Sequence, residues 1–161
     1  MALNSILLLG NLGGSEITIT LVVLLLALIP KIFYCITLKK TLLEIAPANR
    51  KMPPNNVFLL FIPLFSLVWN FIVVNKMTES LELEFRGRNL KNNESKPGYS
   101  IGMAHSVLAC CTIIPLIGIF LTIAGFVCWI IYWVKINDYH TLLLRNPRKE
   151  TDLISEIGKD I

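Results

Sequence analysis

Residues 17–38, 57–74, 99–114 and 116–134 form four stretches rich in Leu, Ile, Val and Phe and nearly free of charge. A helix crossing a bilayer core of about 30 Å needs about 20 such residues. The pattern predicts an all-α, polytopic helical membrane protein, with residues 1–161 forming a single membrane domain. The first segment follows Gly13-Gly14-Ser15-Glu16, where Ser15 can cap a helix and Glu16 suits its positive end. Pro30 should kink it by removing one backbone hydrogen bond.

The second segment carries Pro63 in its interior and leads without a breaker into a predicted amphipathic helix over residues 75–88. Met77, Leu81 and Phe85 recur there every four residues as one apolar stripe. Glu82 with Arg86 and Glu84 with Arg88 read as exposed i,i+4 pairs. This helix is expected to lie on the membrane surface or against a partner. Residues 89–98 read as a polar loop and residues 136–161 as a C-terminal tail.

Segments three and four are expected to form a tight antiparallel hairpin, because only the uncharged stretch around Pro115 to Gly118 separates them. Gly102, Ser106 and Cys110 stripe one helix; Gly118, Thr122 and Gly125 stripe the other. Small residues let membrane helices approach closely where lipid removes the hydrophobic drive. Segment four closes in Trp129, Tyr132, Trp133 and Lys135, an interfacial aromatic anchor followed by a positive stop.

Topology divides the signals. Four crossings place the loop after segment two on the side of the C-terminal tail, and together these hold most of the Lys and Arg. The positive-inside rule then makes both termini cytoplasmic. Segment one alone argues the reverse, with no positive residue before it and Lys39, Lys40, Arg50 and Lys51 after it. Both signals are met if segment two turns back at Pro63 as a re-entrant segment, which is tolerated where protein covers the break. Either way the C-terminus is cytoplasmic.

Composition sharpens the class. Of 161 residues, 54% are hydrophobic and 16% charged, against about 25% charged in a soluble domain. No polar stretch is long enough for an appended catalytic domain. Residues 1–17 hold no Lys or Arg and no small-x-small site follows the first apolar run, so that run is expected to be retained rather than cleaved. Cys35, Cys110, Cys111 and Cys128 lie in apolar segments without metal-ligand spacing and read as buried thiols. The net charge of +4 is ordinary topology signal rather than a nucleic-acid footprint.

Several short runs occur in a characteristic order. They are Ile32-Phe33-Tyr34, Asn49-Arg50-Lys51-Met52, Ile62-Pro63-Leu64-Phe65 through Trp69 to Lys76, and Pro97-Gly98-Tyr99-Ser100-Ile101-Gly102. Ile114-Pro115 and Cys128-Trp129-Ile130-Ile131-Tyr132-Trp133-Val134-Lys135-Ile136 complete the series. It resembles an uncharacterised family of small multi-span bacterial inner-membrane proteins, a domain of unknown function, over residues 21–143. A Pro-x-x-Asn or Pro-x-x-Ser motif recurs in that family and reads here Pro63-Leu64-Phe65-Ser66. The resemblance implies a bacterial inner membrane and brings no activity with it. Gly13 to Glu16 before a Leu/Val-rich run is also similar to the membrane segment of twin-arginine translocase pore components. The Phe-Gly hinge and amphipathic helix expected next are missing.

Polar groups inside the segments are the candidates for function, since each is costly in lipid unless paired or snorkelling. They are Lys31, Asn70 and His105. The sequence offers no paired acids, Cys–His or Ser–His couple or metal-ligand cluster at the spacing that catalysis needs, so an enzyme is not expected. The leading expectation is a non-catalytic accessory, scaffold or regulatory subunit of a larger inner-membrane assembly. The alternative is a small oligomeric channel or transporter using Lys31, Asn70 and His105, with breaks at Pro30, Pro63 and Pro115. Expected partners are the lipid bilayer and a membrane protein or a second copy of this chain, with no nucleic acid and no cofactor.

Overall fold

The computed structural model describes residues 14–62, 64–92, 94–112 and 118–148. Pro63, Pro115 and the tail beyond residue 148 lie outside the described residues. The structure is all-helical, with no strand among the described residues. The helices are α1 (Gly14–Glu44), α2 (Phe65–Gly87), α3 (Tyr99–Cys111) and α4 (Gly118–Arg145), with short 3-10 helices at Pro47–Asn49 and Pro54–Phe61. The chain divides into two compact units, one ending at Tyr34 and the other starting at Cys35.

Within the first unit α1 presents Ile17, Ile19, Leu21, Val22, Leu25 and Leu26 on its surface, and it contains Pro30. Within the second unit the core is built from three helical stripes. Cys35, Leu38, Leu42 and Ile45 come from α1 and its end; Val73, Val74, Met77 and Leu81 from α2; Tyr132, Ile136 and Leu143 from α4. All are fully buried. The α1 stripe steps by three or four residues, and the members of the other two recur at one helix face, as packing along a helix requires.

The other end of α4 is different in kind. Phe120, Ile123, Phe126, Val127, Ile130, Ile131 and Val134 face outward, Phe120 at 74% exposure. One helix among the described residues, Phe120–Arg145, is long and apolar enough to cross a membrane, with a mean hydropathy of 1.6 and 17% of its most apolar window buried. A soluble core helix would be buried along such a window.

Segment two is not one helix. Residues 54–61 form a 3-10 helix, Leu64 takes φ 60°, and α2 begins at Phe65. A leucine at positive φ is strained, and here it stands 81% exposed at a change of chain direction. The incoming strand of chain runs back along α2. The Lys51 amide donates to Ser80 Oγ at 2.9 Å, Trp69 Nε1 donates to Asn56 O at 2.9 Å, and Cys35 Sγ reaches Val57 O at 3.7 Å. The expected surface helix over 75–88 is instead the second half of α2. Its stripe of Met77, Leu81 and Phe85 is buried within the chain's own core.

α3 is seated between α2 and α4. Gly98 enters it at φ 70°, and Gly102 sits so close to its neighbours that an added Cβ would lie 2.7 Å from Val74 and 2.8 Å from Tyr132. Tyr132 is therefore no interfacial anchor: it is completely buried against these glycines. A Cβ at Gly125 would meet Leu108 at an ordinary 3.4 Å. Contacts at Gly98–Tyr132 and Gly125–Leu108 run in opposite directions along the two helices, so α3 and α4 pack antiparallel. The residues joining them, 113–117, are outside the described set.

Candidate functional site

Three helix ends meet where the polar segments gather, and each brings a local problem. The last carbonyls of a helix lack intrahelical donors and carry the negative end of its dipole. α1 solves this with Arg50, whose Nε donates to Leu42 O at 2.9 Å and whose Nη2 donates to Ile45 O at 3.0 Å. Arg88, just past α2, serves two helices at once. Its Nη2 donates to Glu44 O at 2.7 Å, and its Nη1 donates to Leu143 O at 2.9 Å and Asn146 O at 2.7 Å.

Glu84, one turn before Arg88, completes the knot. Its Oε1 accepts from Arg88 Nε at 2.8 Å, while Oε2 accepts from the Ala46 amide at 3.0 Å and Asn49 Nδ2 at 2.8 Å. Arg148 Nε stands 3.6 Å away. The Glu84 side chain is 1% exposed and that of Arg88 7%. This corrects the expectation of an exposed pair: the i,i+4 spacing is real, but the pair is inside the fold. Burial pushes the Glu84 carboxyl up. Hydrogen bonds from Asn49, Ala46 and Arg88, with the guanidinium charge, outweigh it and hold the group below the ordinary carboxylate value.

A second, shallower polar cluster lies beside it. Glu94 accepts from Lys135 Nζ, from the Gly98 amide at 2.9 Å and from Tyr139 Oη at 3.2 Å. The Lys135 hydrogen bond is the largest influence lowering its carboxyl, followed by the Gly98 amide. Lys135, expected as a positive stop, is thus also engaged in tying the 89–98 loop to α4. An open cleft of about 580 Å³ lies between α2 and this loop, lined by Glu82, Phe85, Arg86, Asn89, Leu90 and Pro97 among others. Among the described residues no group of three or more His, Cys, Asp or Glu could hold a metal ion.

The residues singled out from the sequence do not converge. Asn70 is buried and donates to Ser106 Oγ at 2.9 Å, and that hydroxyl donates to Gly102 O at 2.9 Å. His105 Nδ1 lies 3.0 Å from Gly125 O, and since a carbonyl only accepts, Nδ1 carries the proton. So Asn70 joins α2 to α3, and His105 joins α3 to α4. Lys31 belongs to the first unit and is half-buried. The small-residue stripes are likewise used separately. Gly102 packs on Val74 of α2 and Tyr132 of α4, Ser106 bonds to α2, Gly125 packs on α3, and Thr122 Oγ1 returns to Gly118 O of its own helix at 2.7 Å. Cys110 is half-buried.

Sequence reasoning passed over the Glu84–Arg88 knot. The one available signal was a Glu flanked by apolar Leu81 and Phe85 on the same face, which places it on the buried side of the stripe. No protein-family model, curated protein or solved structure matches this chain.

Proposed function

We propose that this protein is a multi-pass membrane protein acting as a non-catalytic accessory, scaffold or regulatory subunit of a larger membrane assembly. The observation that carries the membrane reading is the outward-facing apolar half of α4, where Phe120, Ile123, Phe126 and Val127 give one helix face an exposed hydrocarbon surface. A contiguous exposed apolar surface of this kind marks a lipid or protein interface. Its polar end is locked by buried hydrogen bonds rather than opened into a cavity lined by reactive groups. That favours a rigid docking element over a catalyst.

In the bilayer we place three crossings and a re-entrant segment two. Asn49 bonded to Glu84, and Lys51 bonded to Ser80, support this arrangement. They bring the loop after segment one and the end of α2 to the same end, where four crossings would separate them. The proposed turn is at residues 62–64, and the C-terminus is cytoplasmic. All Lys and Arg outside the spans then share one side, as the positive-inside rule favours. The resemblance to small bacterial inner-membrane proteins fits the same assignment. The channel alternative draws less support, because Asn70 and His105 are committed to different helix contacts.

The test is affinity purification of the whole protein in mild detergent, followed by native mass determination. A stoichiometric partner is the expected result. A homo-oligomer with no partner would overturn the accessory reading and favour the channel.

A further inference from the structure

The polar end holds more unpaired positive than negative charge, and what that charge binds rests on the membrane reading above. Most charged side chains there are matched: Lys76 with Glu79, Arg86 with Glu82, Arg88 and Arg148 with Glu84, Lys135 with Glu94. Setting aside Arg50, whose donors cap the carbonyls of α1, six cations of the second unit have no carboxylate partner among the described residues: Lys39, Lys40, Lys51, Lys91, Lys96 and Arg145. Only Glu44 and Asp138 stand unmatched against them in the described part of the second unit.

The fold, not the sequence, brings four of these, Lys40, Lys51, Lys96 and Arg145, to the polar end of the bundle. Arg88 gathers the ends of α1 and α4, and with them Lys40 and Arg145. Thr78 and Ser80, two residues apart on α2, bind Pro97 O at 3.2 Å and the Lys51 amide at 2.9 Å. The backbone at Lys51 and that at Pro97, next to Lys96, are therefore anchored within about 3 Å of each other along the α2 axis. All but Lys39 are exposed. Two of the six sit over aromatic rings, Lys39 at 5.6 Å from the Phe58 centroid and Lys96 at 5.2 Å from that of Tyr99. A lysine ammonium held over the face of an aromatic ring is an arrangement suited to the headgroup region, where aromatic and basic residues gather.

We infer that these unmatched cations bind anionic phospholipid headgroups of the leaflet at the polar end. A phosphodiester lacking a choline supplies the missing counter-charge and lies at the height where these side chains emerge. Cations near an anionic leaflet each contribute about fivefold to such binding. The buried knot takes no part, because its guanidinium donors are already spent on carbonyls and Glu84.

The whole protein in mild detergent would be incubated with equal amounts of dioleoyl phosphatidylglycerol and dioleoyl phosphatidylcholine, and retained lipid counted by native mass spectrometry. Severalfold excess retention of phosphatidylglycerol is expected. It should fall towards parity in the variant K40Q/K51Q/K91Q/K96Q, with thermal stability in phosphatidylcholine unchanged. Equal retention of both lipids by the wild type, or an unchanged preference in the variant, overturns the inference. Loss of the lipid on adding free glycerol phosphate overturns it as well, by pointing to a soluble phosphate ligand. Alkaline carbonate extraction of the source membranes separates the two failures. Release into the supernatant removes the membrane reading itself, whereas retention in the pellet without lipid preference removes only this inference.

Discussion

Arg88, the residue that ends α2, lies one turn past Glu84 and 2.7 Å from it, and between them they bind the chain ends of two other helices. A surface pair at this spacing contributes a few tenths of a kcal/mol. This one is held in a buried site where every donor and acceptor has a further partner, so breaking half of it strands a charge.

Glu84→Ala should destabilise the fold by about 3–5 kcal/mol, because the Arg88 guanidinium would remain buried without its carboxylate. Arg88→Met should cost a similar amount. The double variant should lose less than the sum, since neither charge is then left alone. Thermal or denaturant unfolding in detergent provides the comparison, and simple additivity would mean the two side chains act independently.

Acid should weaken the fold through the same residue. The Glu84 carboxyl is held low in the folded protein, so below the ordinary value the unfolded chain takes up its proton first. Its contribution is fully present above the unfolded carboxylate value, about 4.3. It is lost as pH falls through the lower folded value. Glu94 acts in the same direction, but it is partly exposed and contributes less. Melting temperature followed from pH 7 downward should hold until the carboxylate range and then fall. In Glu84→Gln that fall should be shallower; an identical acid limb in the variant would remove Glu84 from the transition.

Gly102 and Gly125 should respond differently to the same methyl group. At Gly102 the new Cβ would lie 2.7–2.9 Å from Val74 and Tyr132, so Gly102→Ala should cost about 1–3 kcal/mol through forced shifts. At Gly125 the nearest atom is 3.4 Å away, and Gly125→Ala should be close to neutral. Equal effects at the two sites would count against the close approach of α2, α3 and α4.

The hydrogen bond from Asn70 to Ser106 should be worth about 0.6 kcal/mol in a double-mutant cycle with Asn70→Leu and Ser106→Ala. A coupling near zero would assign both residues to packing alone.

The proposed topology makes its own prediction. Cysteines introduced at Lys51 and Lys91, on a background with the native cysteines replaced, should react with an impermeant thiol reagent from the same side. One at Leu64 should be protected by the bilayer. Labelling of Lys51 and Lys91 positions from opposite sides would restore four crossings.

By itself the sequence determined helical class and the apolar segments, because helix formation and hydrocarbon burial follow from local residue type and period. It also marked the place near Pro63 where segment two departs from a single helix, since proline acts on its own backbone neighbours. Pairing was a different matter. That Glu84 is inside, that Tyr132 packs on glycines rather than at an interface, and that Asn70 and His105 serve different contacts depended on which helix faces meet. A carboxylate i,i+4 from an arginine looks the same on an exposed helix as in a core. Only the tertiary structure, by bringing the carbonyls of α1 and α4 to Arg88 and leaving Lys51 and Lys96 unmatched, decided which charges hold the fold together and which remain for something outside it.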